Sequence, residues 1–98
     1  MIIDQNKNGN ALVLALEGRL DTMTAPQLEA ALKEALPGVE ALTFDLEKLD
    51  YISSAGLRML LSAQKTMNQQ GTMKVKNANE MILEIFEVTG FCDILTIE

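Results

Sequence analysis

Along this chain the apolar residues change period repeatedly, from two to between three and four and back again. Leu12, Leu14 and Leu16 alternate, whereas Ala25, Leu28, Ala31, Leu32, Ala35 and Leu36 recur at steps of three and four. Ala41-Leu42-Thr43-Phe44-Asp45-Leu46 reads as extended again, and Leu57, Leu60, Leu61 and Met67 as the core side of a second helix that ends near Gln69. Thr72-Met73-Lys74-Val75-Lys76 alternates, and Ala78, Ile82, Ile85, Phe86 and Thr89 share one face of a third helix. Period two buries one face of a strand and period 3.6 one stripe of a helix. Strands alternating with helices give an α/β fold whose parallel strands are joined by right-handed crossovers.

Local signals set the boundaries. Ile2 and Ile3 begin an extended segment, and Asn8-Gly9 is a hairpin signal, which puts an antiparallel pair at the N-terminus. The second strand covers Ala11 to Glu17; Val13 and Ala15 make its other face apolar as well, so it is expected to be covered on both sides. Gly18 to Asp21 reads as a connector. Thr24-Ala25-Pro26-Gln27 fits a capping box, with the Thr hydroxyl on a free N–H and Gln reaching back. Pro37-Gly38 ends the first helix, Gly71 the second and Gly90 the third, while Asn77 to Glu80 supplies the third helix's start. Ile94 to Ile97 closes as a short strand or docked tail. The expected order is ββαβαβα(β), a mixed sheet of four to five strands packed with three to four helices. At 98 residues the expectation is a single domain, 1–98.

Composition narrows the function. With 8 Lys and Arg against 14 Asp and Glu, the net charge is −6, which disfavours nucleic acid and anionic membrane surfaces. There is no His, which excludes Ser-His-Asp and Cys-His catalysis and His-ligated metal. The single Cys92 forms no intrachain disulfide, so a reducing cytoplasm fits, and without a basic neighbour its thiol is expected to be inert. No apolar run is long enough to span a bilayer, and no signal peptide is visible. No cofactor or metal site is expected.

The most informative stretch is Asp50 to Leu61, where a strand enters and two serines stand at the start of a helix. Serine suits an N-cap, and Gly56 costs the helix up to about 1 kcal/mol relative to Ala. Either Ser53 or Ser54 is a plain cap with Gly56 relieving crowding, or something approaches the backbone there. The free N–H groups and positive dipole end of a helix start would tolerate a phosphate on Ser54.

Gly18-Arg19-Leu20-Asp21, Thr24-Ala25-Pro26, Asp50-Tyr51-Ile52-Ser53-Ser54-Ala55-Gly56-Leu57-Arg58 and Thr89-Gly90-Phe91 together resemble a STAS domain, in particular the bacterial anti-sigma factor antagonists, over essentially the whole chain. The resemblance implies a STAS fold and a partner-switching function in transcription regulation. The partner is an anti-sigma factor that is also a serine kinase, of the GHKL type. It phosphorylates the serine before x-Gly-Leu, here Ser54, which ends the binding, and a PP2C-type phosphatase restores it. Family members often carry Asp just before that serine; this chain has Ser53, so Ser53 is the second candidate. The implied partner surface comprises Asp21, Met23, Asp50, Ser53, Ser54, Ala55, Gly56, Arg58 and Met59, on a monomer or weak dimer with no enzymatic activity.

Other residues divide less sharply. Asp21 and Asp50 either help orient the kinase's nucleotide or metal, or hold the loop, or else are solvated loop carboxylates, with Asp21 serving as a turn residue. Met59 suits either an exposed contact, because Met adapts to varied partners, or ordinary core packing; Met23 suits the same contact surface, and Met67 the core. Arg58 either pairs with a partner carboxylate or is simply solvated, and Tyr51 is expected to cap the core. A small phosphotransferase is a competing class, disfavoured by the lack of His and of a G-x-x-x-x-G-K loop. An accessory subunit of a lipid-trafficking or stress-signalling assembly would keep the fold and change the job.

Overall fold

In a computed structural model of residues 1–98, Ile2–Asn8 (β1) and Ala11–Leu20 (β2) pair antiparallel around a two-residue turn, with Gly9 at φ +65° as its first central residue. The chain then crosses through Ala25–Ala35 (α1) to Ala41–Ile52 (β3), and through Ser54–Gln70 (α2) to Thr72–Lys76 (β4); both new strands join parallel to their neighbours. The sheet order is β1-β2-β3-β4. Glu80–Val88 (α3) and a short 3₁₀ turn at Phe91–Asp93 follow. The tail docks on β4 as one parallel bridge, where the Val75 N–H donates to the Thr96 carbonyl at 2.9 Å and the Glu98 N–H to the Val75 carbonyl at 2.8 Å. The ββαβαβα order and the mixed sheet thus match the periodicities. No helix is long and apolar enough to cross a membrane.

One apolar cluster joins sheet and helices. Leu12, Leu14, Leu16, Leu42, Phe44, Leu46, Met73 and Val75 meet Leu28 and Leu32 of α1, Leu57, Leu60 and Met67 of α2, and Ile82 and Phe86 of α3. The expectation that β2 is covered on both faces is incorrect. Val13 and Ala15 are only half-buried, and their neighbours in the sheet are Asn6 and Thr43, and Asp4 and Asp45. Those polar neighbours leave small apolar side chains on a face that stays wet. Gly18 to Leu20 is strand, not connector, and β3 likewise continues past Leu46 to Ile52. Register shifts between Ala15 and Glu17 and between Gly18 and Arg19 break the alternation there, as bulges do.

Two helix faces also differ from expectation. Thr89 is exposed and acts at the end of α3, its hydroxyl donating to the Ile85 carbonyl at 2.6 Å rather than packing inward. On α2, Leu61 is half-buried while Gln64 is 7% exposed. The Gln64 Nε2 donates to Asn68 Oδ1 at 2.8 Å, but its Oε1 has no partner. An orphaned buried carbonyl carries a desolvation cost without a compensating bond. Gln64→Met is therefore expected to raise stability by about 1 kcal/mol, read as a higher Tm in thermal unfolding; a lower Tm would contradict this.

Candidate functional site

β2 and β3 end side by side, Leu20 opposite Ile52, and the Ser53 N–H donates to the Leu20 carbonyl at 2.9 Å. The chain leaves the sheet at Ser53 in an extended conformation and turns directly into α2. Ser53 is the N-cap: its Oγ accepts from the Gly56 N–H at 3.4 Å, and its carbonyl accepts from the Leu57 N–H at 2.9 Å. Ser54 is the first helical residue and is exposed, and no hydrogen bond within the protein engages its hydroxyl. The two adjacent serines therefore differ. One hydroxyl is committed to starting the helix; the other stands free at the positive end of the helix dipole.

Gly56 lies beneath this surface rather than on it. A Cβ there would come within 2.7 Å of Leu20 Cγ and 2.8 Å of Ile52 Cγ1. What approaches the helix backbone is the packed end of the sheet, so Gly56 relieves crowding and lets the first turn of α2 sit down on Leu20 and Ile52. Of the expected surface residues it is the one with no exposed face.

Asp21 organises the loop beside the serines. Its Oδ1 accepts from the Met23 N–H at 3.0 Å and the Thr24 N–H at 3.2 Å. Burial pushes its carboxyl up, but the backbone bonds from Thr24 and Met23, the Thr24 side chain and the Arg19 guanidinium outweigh this and hold it below the ordinary 3.8. The capping box expected at Thr24 does not form. The Thr24 hydroxyl accepts from the Asp21 N–H at 2.9 Å and donates to the Arg19 carbonyl at 2.8 Å. The Gln27 N–H that a box would use goes to the Thr24 carbonyl at 2.9 Å, and the Gln27 side chain donates to the Met1 carbonyl at 2.9 Å. Held in this way, the loop presents Met23 at 87% exposure.

Asp50 is exposed near the end of β3, and Arg58 is exposed one turn along α2 from Ser54. Ala55 and Met59 are half-buried. Met59 packs on the core and borders a groove of about 430 Å³ between α1 and α2, floored by Leu32, Leu36 and Ala63. Met67 is buried, as its spacing indicated. Tyr51 does not cap the core. It is half-buried beneath Arg19, whose guanidinium lies 4.4 Å from the ring centroid and whose Nε is 3.7 Å from Asp21 Oδ2. Sequence reasoning did not single out Arg19 as a site residue. The signal was its cross-strand register with Tyr51, hidden while both strands were read as ending early. Chemically, the junction and the segments flanking it carry an accessible hydroxyl, two carboxylates, two guanidinium groups and two thioethers.

Residues 3–96 match the family model described as "Mlab, STAS domain". BtrV of Bordetella bronchiseptica, provisionally named an anti-sigma factor antagonist, is 35% identical over 99 residues, covering 99% of this chain and 85% of BtrV. The anti-sigma-B factor antagonist of Bacillus subtilis is 28% identical over 96 residues, covering 97% of this chain and 88% of the relative. The Bacillus cell fate determinant SpoIIAA in its phosphorylated form shares the fold with a TM-score of 0.77 at 18% identity, over 99% of this chain and 91% of that one. A match that starts in β1 and reaches the docked tail takes in every element described above, and by it this protein belongs to the STAS domain family.

Proposed function

We propose that this protein is an anti-sigma factor antagonist that binds an anti-sigma factor with serine kinase activity, of the GHKL type, and is switched off by phosphorylation of Ser54. The observation that carries this is the division of labour between the two serines: Ser53 Oγ is used as the helix cap and Ser54 Oγ is exposed and unbonded. A kinase needs an accessible hydroxyl, and a helix start accommodates the product, since phosphoserine adds roughly −1.5 to −2 charges at pH 7 next to free N–H groups. The names of the sequence relatives support the antagonist role.

The partner surface in this reading comprises Asp21, Met23, Asp50, Ser53, Ser54, Ala55, Arg58 and Met59, with Gly56 as the packing residue beneath. Asp21 serves by holding its loop. The protein acts in the cytoplasm as a binding module without catalysis or cofactor, and a PP2C-type phosphatase resets Ser54. Unmodified protein used as bait in a lysate of the source cell should recover a GHKL-type kinase freed of its sigma factor. Recovery of lipid-transport subunits instead, or self-labelling with ATP alone, would overturn the reading in favour of an accessory subunit or a phosphotransferase.

A further inference from the structure

We propose that Arg19 is a positioning residue of the Ser54 face: stacked on Tyr51 and paired with Asp21, it sets the loop that presents Met23. The inference rests on the reading of this face as the partner surface and deepens it.

The contacts form a relay. Tyr51 stands at the end of β3, just before Ile52 and the two serines, with Arg19 as its cross-strand neighbour. The Arg19 guanidinium lies 4.4 Å from the Tyr51 ring centroid. Its Nε is 3.7 Å from Asp21 Oδ2, which leaves Oδ1 turned to the Met23 and Thr24 N–H groups. One oxygen of the Asp21 carboxylate is thus held from the sheet while the other holds the loop. Met23, at 87% exposure, is placed almost entirely by its backbone. Rotation of the Asp21 carboxylate would free the Met23 N–H and leave the thioether without a fixed position. The planar guanidinium suits this role because it stacks on an aromatic face while donating in its own plane. A lysine ammonium retains the charge but not that geometry.

The test has a partner-independent arm and a partner-dependent one. In the isolated protein, Arg19→Ala should speed amide hydrogen exchange at Met23 and Thr24 by about five-fold, the size expected for losing an exposed ion pair and an exposed cation–π contact. Tyr51→Leu should do the same in part, with exchange in the core strands unchanged. With the recovered kinase, Arg19→Ala should raise the KM for phosphorylation by about five-fold with kcat unchanged. Arg19→Lys should recover part of that loss, and adding Arg19→Ala to Met23→Ala should raise KM no further. Unchanged exchange at Met23 and Thr24, or unchanged KM while Met23→Ala raises it, would overturn the role of Arg19 and leave the partner surface intact. If neither Met23→Ala nor Ser54→Asp affects the kinase, the surface itself is misassigned and the inference falls with it.

Discussion

Phosphorylation of Ser54 should weaken binding to the anti-sigma kinase by roughly 150-fold, the equivalent of about 3 kcal/mol at 1.4 kcal/mol per tenfold. The exposed hydroxyl has no partner in the free protein, so modification need not break the fold. The cost arises in the complex. A dianion at the centre of a contact must be stripped of water and must face whatever carboxylates lie opposite. The exposed Asp50 and the Asp21 carboxylate, held ionised by its hydrogen bonds, add the same sign nearby. Ser54→Asp, with one charge, should shift affinity in the same direction by less, and Ser54→Ala should bind tightly and resist switching. Ser53→Ala is the informative control. It removes a long 3.4 Å cap bond, which costs about 1 kcal/mol of stability, and should leave the switch working. Calorimetric titration of these five proteins against the kinase measures the affinities and thermal unfolding the stability of Ser53→Ala, and equal affinity for wild type and Ser54→Asp would contradict the account.

The largest stability effect should come from Gly71→Ala. Gly71 ends α2 and is exposed, so its side of the molecule looks tolerant. A Cβ there, however, would stand 1.8 Å from the Glu40 carbonyl oxygen and 2.6 Å from its carbonyl carbon. That obstacle is backbone. The Thr72 N–H also donates to the Glu40 carbonyl at 2.9 Å, at the point where β4 joins β3. The Gln70 amide next to it donates to the Leu36 and Val39 carbonyls at 2.7 and 2.6 Å. Relief would require separating the end of α2 from the segment that follows α1, at a cost of about 3 kcal/mol. For a domain of this size that lowers Tm by roughly 15 °C. A Tm within a few degrees of wild type would show that this junction yields easily.

Glycine illustrates what was legible in the sequence and what was not. Gly71 and Gly56 were readable as a helix stop and a helix cost, because those effects are local. Glu40, the packing partner of Gly71, and Leu20, one of the two beneath Gly56, are remote in the chain, so the close approaches appear only once the sheet is assembled. The order of strands and helices was readable because burial imposes a period on each element. The ends of β2 and β3 were not, because register shifts interrupt the period and Glu47, Lys48 and Asp50 resemble a loop. The open sheet face was missed because Val13 and Ala15 are apolar and small, and only their neighbours Thr43 and Asp45 reveal which way they face. The turn from strand to helix at the two serines was readable from the motif, whereas which serine caps the helix depended on where the strand releases the chain. Asp21 and Thr24 show the same limit: the capping-box pattern was present, but the Thr24 hydroxyl was drawn back to Asp21 and Arg19.

Mapping the phosphate is the most direct test. The protein is incubated with ATP and the kinase it recovers from its own cell, and the product is fragmented by mass spectrometry under conditions that resolve adjacent serines. The expected result is one phosphoryl group, on Ser54, absent without the kinase and abolished by Ser54→Ala but not by Ser53→Ala. Phosphate on Ser53, or none on either serine, would contradict the assignment of Ser54 as the switch.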